Sequence, residues 1–384
     1  MPRVGLRAGT RATLEGTYRA AVSTSTPPLP RDNIAAIPAY VPGKPLAPRP
    51  GLTSYKLSSN ENPNPPLPGV LEAVAAAAAS MNRYPDMGNT ALYATLAERH
   101  GVRPENLAAA TGSVAVLYHL LQAYCGPGDE VVVAWRSFEA YPIAVAVTGA
   151  TTVQVPLAAG ARHDLDAMLA AITPRTRVVV LCTPNNPTGP ALSHPEVAAF
   201  VDRVPAGVVV AIDQAYAEFD RTPEPVDGLA LLAAHPNVVV TRTFAKAYGL
   251  AGLRIGYLVG HPDVAAAVRA CALPFGVSTI AQAAALASFA AEDELLARVD
   301  ALVAERERVT AGLAEQGWSI PDAQGNFVWF ELGERTGAFV AACEEAGIAV
   351  RPFAGEGVRV SIGETEANDR LLTVAGTFGA TPVH

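Results

Sequence analysis

The sequence predicts an α/β fold: a large domain with a mostly parallel central sheet, followed by a smaller α+β domain. Three observations predict it. Short runs of β-branched residues recur between helix-like stretches from about residue 69 onward. The runs are apolar throughout instead of alternating, as strands covered on both faces are. After Pro274 the texture changes, first to a long Ala- and Leu-rich stretch and then to short strands mixed with helices. The length of 384 residues also exceeds what a single core usually organises, roughly 250–300 residues.

In chain order, residues 1–30 read as a disordered tail. They hold Arg3, Arg7, Arg11 and Arg19 against the single acid Glu15, a balance like that of a transit peptide, and Pro27, Pro28 and Pro30 close them. They lack the apolar segment of a secretory signal. Residues 31–68 form an arm with nine prolines between Pro38 and Pro68, which excludes regular helix. The arm is expected to pack on the small domain or on a partner subunit. The large domain spans 69–274, with helices at 69–81, 90–100 and 113–124. Its strands are expected at Val131–Val133, Thr152–Val155, Val178–Leu181, Val208–Ile212, Val238–Thr241 and Ile255–Val259. Residues 275–384 comprise one connecting helix over 279–316 and the small domain. Strands there are expected at Phe327–Glu331 and Val358–Ile362, with helices at 336–346 and 365–374.

Composition narrows the function. Half the residues are hydrophobic and 17% are charged, so the chain can bury a sizeable core. The net charge is −8 with no basic block, which argues against a nucleic-acid partner. No apolar run reaches the ~18 residues of a membrane span. Cys125, Cys182, Cys271 and Cys343 lie far apart without a CxxC pair, as expected of a cytoplasmic protein with no structural metal. Cys182 and Cys271 read as buried thiols.

Ligands of open parallel sheets bind beyond the carboxyl ends of the strands. Three successive strands here end in polar clusters. One runs into Thr183-Pro-Asn-Asn-Pro-Thr-Gly189, one ends at Asp213-Gln-Ala-Tyr216, and one runs into Thr243-Phe-Ala-Lys246 and on to Arg254. Singly, these are a turn, a helix cap, a solvated lysine and a surface arginine. Jointly they place an Asn, an Asp, a Tyr, a Lys and an Arg in one crevice. A desolvated lysine is a nucleophilic amine that forms a Schiff base with an aldehyde. An aspartate under a pyridine nitrogen keeps the ring protonated, so that it can take up carbanion electrons. Thr111-Gly-Ser113 opens a helix whose backbone N–H groups suit a phosphate, and Arg254 adds a fixed positive charge.

The motifs resemble those of fold-type-I aminotransferases, and within them the histidinol-phosphate aminotransferase family. The likeness rests on Leu57-Ser-Ser-Asn-Glu-Asn-Pro63, Asn82-Arg-Tyr-Pro-Asp86, the Asn186-Pro-Thr-Gly loop, Asp213-Gln-Ala-Tyr216, Phe244-Ala-Lys-Ala-Tyr-Gly-Leu-Ala-Gly-Leu-Arg254, Asn326-Phe-Val-Trp329 and Val358-Arg-Val-Ser-Ile-Gly363. It implies pyridoxal 5'-phosphate as cofactor, joined to Lys246. Asp213 would pair with the pyridine nitrogen, Tyr216 and Asn186 would contact the ring hydroxyl, and Phe138 would stack on the ring. Gly112, Ser113 and Arg254 would hold the phosphate. Tyr84 would reach the phosphate of a neighbouring subunit's cofactor, which implies a homodimer with shared sites. Arg359 would bind the substrate carboxylate, with Tyr40 and Arg351 on the substrate side. Without that resemblance, Arg351 and Arg359 read as exposed charges on a strand edge.

Trp135-Arg-Ser-Phe-Glu-Ala-Tyr-Pro142 and Pro274-Phe-Gly-Val-Ser278 resemble the branch acting on phenylalanine and other aromatic amino acids. The expected reaction is ping-pong transfer of an amino group from an aromatic L-amino acid to 2-oxoglutarate. The alternatives are histidinol phosphate as donor, a related decarboxylase or lyase, a role in specialised metabolism, or a non-catalytic regulator. Arg351 and Arg359 suit a phosphate and a carboxylate equally, so they do not choose between donors.

Two positions depart from the family pattern: Gln214 stands where Glu is usual, and Ala245 where Ser is usual. The missing serine hydroxyl removes one hydrogen bond to a charged phosphate, worth about 1.5–3 kcal/mol. Ala245→Ser should therefore tighten cofactor binding in a spectrophotometric titration; equal affinities would contradict this.

Overall fold

The structure is a computed structural model that describes residues 28–38, 43, 46 and 50–380. The strands are β1 (Tyr55–Lys56), β2 (Leu107–Ala110), β3 (Glu130–Trp135), β4 (Thr151–Pro156), β5 (Thr176–Cys182) and β6 (Val209–Asp213). They continue with β7 (Val238–Thr243), β8 (Gly256–Val259), β9 (Phe327–Glu331), β10 (Ile348–Ala349), β11 (Arg351–Phe353) and β12 (Gly357–Ser361). Seven of them form the central sheet in the order β2-β8-β7-β6-β5-β3-β4.

The uninterrupted apolar strands are buried on both faces, as their composition requires. Val131 and Val133, Val178 and Val180, and Val209 and Ala211 pack into one core under helices Ser113–Tyr124 and Pro262–Ala270. Their alternates Val132 and Ala134, Val179 and Leu181, and Val210 and Ile212 pack into the opposite core with Val197 and Phe200. Each of the Val, Leu and Ile side chains contributes roughly 1.5–3 kcal/mol by burial, so the middle of the sheet is held rigidly from both sides.

Pairing is parallel from β4 through β7. The expected strand at Ile255–Val259 starts at Gly256 and runs antiparallel to both of its neighbours. The connection from β7 contains only the single 3-10 turn Ala251–Leu253 and no crossover helix of the kind that usually returns a chain to a parallel neighbour. The strand beyond it, β2, was invisible in the sequence because Leu-Ala-Ala-Ala carries no β-branched residue.

The expected single helix over 279–316 is two helices, Thr279–Ala290 and Glu292–Glu315. Ala291, at φ −114°, breaks the run, and Glu292, Asp293 and Glu294 place negative charge on the new N-terminus. The first helix packs on Pro68–Ala78 and the second on Thr365–Phe378. The proline-rich arm contains one short helix, Asp32–Ala35, contrary to the expectation of none; it lies just before the first proline of the series. Further on, the arm joins the C-terminal part of the chain. β1 pairs with β10, and the Ser361 amide donates to the Leu57 carbonyl. β11, β12 and β9 form an antiparallel sheet in that order. Most of the 1–30 tail falls outside the described residues. Cys182 is buried as expected, but Cys271, just past the end of its helix, is only half-buried; Cys343 is the second buried thiol.

β8 also fixes the loop before helix Ser113–Tyr124. A Cβ on Gly256 would fall 2.8 Å from the Gly112 carbonyl carbon and closer still to the Ser113 amide nitrogen. Both are backbone atoms and cannot yield. Gly256→Ala should therefore cost about 1–3 kcal/mol of stability in urea unfolding and weaken cofactor binding as well; an unchanged midpoint would contradict this packing.

Candidate active site

The carboxyl ends of β5, β6 and β7 lie side by side, with Cys182 opposite Asp213 and Asp213 opposite Thr241. Above them is a cavity of about 170 Å³. Ten of the expected site residues line it: Gly112, Ser113, Phe138, Asn186, Asp213, Tyr216, Lys246, Arg254, Arg351 and Arg359. Tyr84 does not. It is 82% exposed and stacks on Phe275 with ring centroids 4.6 Å apart. Tyr40 lies outside the described residues.

At the floor, Asp213 accepts hydrogen bonds from the Tyr141 hydroxyl at 2.7 Å and the Thr241 hydroxyl at 3.2 Å. Burial raises its pKa, and these two bonds together with the Lys246 charge work against that rise. Such a carboxylate is completed by a cationic N–H, which a protonated pyridine provides. The Lys246 amine donates to the carbonyls of Ser59 at 3.1 Å and Asn60 at 3.2 Å. Burial, reinforced by the Arg359 charge, brings its pKa down to about 7. That amine is nucleophilic at neutral pH.

The opposite end suits a phosphate. Gly112, at φ 94°, precedes the twelve-residue helix Ser113–Tyr124. A Cβ at Gly112 would come within 2.8 Å of the Arg254 guanidinium, so only glycine lets that charge approach the helix N-terminus. Ala245 and Thr243 share this wall, and the Thr243 hydroxyl accepts the Ala245 amide at 3.1 Å. A buried acid, a depressed lysine and an anion cradle at opposite ends of one cavity fit pyridoxal phosphate.

Phe138 meets Tyr141 edge-on at 5.5 Å. The Tyr216 hydroxyl accepts from the Asn60 side chain at 3.0 Å. Arg359 donates to the Asn186 side-chain oxygen at 2.6 Å and to the Ser58 carbonyl at 2.7 Å. The reading of Arg351 and Arg359 as exposed edge charges is overturned, since both are buried. Arg351 pairs with Glu139 at 2.5 Å. Gln214 is buried and donates to the Val226 carbonyl at 2.7 Å. A glutamate there would have no proton to give.

Sequence reasoning missed Tyr141, Asn60 and Glu139. Glu139 and Tyr141 lie beside Phe138 in a stretch valued only for its likeness to a branch. Asn60 adopts the left-handed conformation at φ 51°, which asparagine tolerates, and its backbone carbonyl accepts from both Lys246 and Asn326. A buried asparagine with this many partners leaves no periodic trace in a sequence.

Residues 53–374 match the family model for aminotransferase class I and II. An aromatic amino acid aminotransferase of Streptomyces avermitilis is 60% identical over 355 residues, 92% of this chain and 99% of its own. One from Thermobifida fusca is 54% identical, over 93% of this chain and 99% of its own. The solved histidinol-phosphate aminotransferase of Sinorhizobium meliloti in complex with pyridoxal-5'-phosphate is 30% identical, with a TM-score of 0.78. That match covers 84% of this chain and 90% of the other.

Lys246 titrates near pH 7 in the folded protein and near 10.5 when unfolded. Between those values the unfolded chain holds one proton more, so stability rises with pH across the window. The cost of burying this amine is complete below about pH 7 and fades toward 10.5. In cofactor-free protein, Lys246→Met should melt higher than wild type below neutral pH, with the gap closing as pH rises. A gap independent of pH would contradict the assignment.

Proposed function

This chain belongs to the class I and II aminotransferases, enzymes that depend on pyridoxal phosphate, and we propose that its amino donors are the aromatic L-amino acids. The acceptor in this reading is 2-oxoglutarate, and the two substrates use the site in turn. The carrying observation is the Lys246 amine, buried with a pKa near 7 in the cavity that Asp213 floors. The choice of aromatic donors is supported by relatives of that name at 54–60% identity.

When bound, pyridoxal phosphate supplies an aldehyde that a neutral amine can capture and a ring that takes up carbanion electrons. The chain's own residues do the rest. Lys246 Nζ, as a neutral amine, would take the proton from the substrate α-carbon as a base and, as the ammonium so formed, give it back as an acid. Asp213 holds a proton on the ring nitrogen, and its bonds from Tyr141 and Thr241 fix the carboxylate plane. Tyr216 and Asn186 would contact the ring hydroxyl, and Phe138 would stack on the ring. Arg359, anchored to Asn186 and the Ser58 carbonyl, takes the substrate carboxylate through a bidentate contact. Gly112, Ser113 and Arg254 hold the phosphate.

The working form in this reading is a homodimer. Tyr84, Met87, Leu273 and Phe275 are exposed together on one apolar region. A second copy covering it would bring Tyr84 to its neighbour's phosphate. Four free thiols support a reducing, cytoplasmic setting. Among the described residues no helix is long and apolar enough to cross a membrane.

The test is a half-reaction. Phenylalanine, tyrosine, tryptophan and histidinol phosphate are added singly to loaded enzyme while the cofactor absorbance is followed. Aromatic amino acids should convert it with kcat/KM values at least about tenfold above histidinol phosphate, which corresponds to about 1.4 kcal/mol of discrimination. Carbon dioxide release without amino transfer would replace this reading with a decarboxylase.

A further inference from the structure

The substrate side of the cavity contains a charge that the proposed donors do not need. Arg351 is 6% exposed on β11 and faces the cavity. A buried guanidinium at that place would hold the distal anion of a phosphate- or dicarboxylate-bearing molecule. Its Nη2 is instead 2.5 Å from a carboxylate oxygen of Glu139, which also lines the cavity. The two charges cancel where a substrate side chain would lie. Beside them is the ring of Phe353, with the Arg351 guanidinium 5.5 Å from its centroid.

A second ion pair holds the arrangement in register. Arg136 pairs with Glu356, in the turn between β11 and β12, and its guanidinium lies 4.2 Å from the Trp135 ring centroid and 5.5 Å from that of Phe353. The segment 135–139 and the β11–β12 hairpin are thus joined at two points, which holds Glu139 and Arg351 in register.

We propose that Glu139 is a specificity-determining residue: it occupies Arg351, so that the cavity admits aromatic amino acids and disfavours substrates whose anion must reach Arg351, whether a phosphate in place of the α-carboxylate or a second carboxylate. This rests on the functional reading above and decides what Arg351 and Arg359 alone do not. Histidinol phosphate carries its phosphate on the arm that replaces the α-carboxylate, longer by a CH2–O unit, so to reach Arg351 beyond Arg359 it would have to displace the half-buried Glu139 carboxylate or lie against it. A phenyl ring lies against Phe353 and a neutralised pair, and leaves both charges satisfied. The distal carboxylate of 2-oxoglutarate competes with Glu139 for the same guanidinium, so acceptor binding is weakened by the same residue.

The test compares wild type with Glu139→Gln, using two substrates and two unreactive analogues on the loaded enzyme. The ratio of kcat/KM for histidinol phosphate to that for phenylalanine should rise by about tenfold or more. The inhibition constant of glutarate should fall by a similar factor relative to that of 3-phenylpropionate. Adding Arg351→Met to Glu139→Gln should abolish both gains, because the anion loses its partner. Glu139→Asp, which keeps the charge but withdraws it by one methylene, should move both ratios the same way and serves if the glutamine variant does not fold. Ratios that stay within about twofold of wild type, or gains that survive loss of Arg351, would overturn the role of Glu139. Failure of wild type to use any aromatic amino acid would instead overturn the functional reading.

Discussion

Asp213 and Lys246 place an acid and an amine in the same desolvated cavity, and one cause displaces both. Burial favours the neutral form of each, raising the carboxyl and lowering the ammonium. The lowered amine is what a carbonyl reagent requires. The raised carboxyl requires hydroxyl donors, and Tyr141 and Thr241 supply them. The sheet makes this tenable. Both groups follow strands packed on two faces by aliphatic side chains, so water is kept from beneath them while their polar atoms look upward.

The remaining charges of the cavity are arranged around that pair. Arg254 is brought against the helix N-terminus by Gly112, which concentrates positive potential at one end. At the other end the charges are tied off. Arg351 is matched by Glu139 and Arg136 by Glu356, while Arg359 is oriented by Asn186 and the Ser58 carbonyl. The arm contributes directly here. Ser58 and Asn60 belong to the segment that β1 clips to β10, and their carbonyls accept from Arg359 and Lys246. The arm, the large sheet and the small sheet therefore meet at the reacting centre.

Most of the fold could be read from the sequence because burial on both faces forces continuous apolar strands, and helix ends carry glycine, serine and acidic caps. Helices Thr90–His100 and Ser113–Tyr124 and strand Phe327–Glu331 fall where the pattern put them. The failures share a reason: they turn on tertiary context. Leu-Ala-Ala-Ala becomes a strand only because Gly256–Val259 offers it an edge. The break at Ala291 follows from two helices packing on different partners, since alanine itself favours continuation. Of the site, the residues that follow strand ends were legible because topology gathers them. Glu139 and Asn60 were not, because their roles depend on Arg351 and Tyr216, which lie far away in sequence.

Gln214 and Ala245, the two departures from the family pattern, have different standing once their surroundings are known. Gln214 points away from the cavity and donates to the Val226 carbonyl from a buried position. A glutamate at that place would have to be protonated to make the same bond, so the amide suits this loop better than the acid. Ala245 does face the cavity, and there a hydroxyl is absent. Its amide nevertheless donates to the Thr243 hydroxyl, which lines the same wall and keeps a lone pair and a proton of its own. The anion cradle thus retains the Thr243 and Ser113 hydroxyls, the helix N-terminus and Arg254. The first departure is local repacking around a backbone carbonyl; only the second bears on how tightly the cofactor is held.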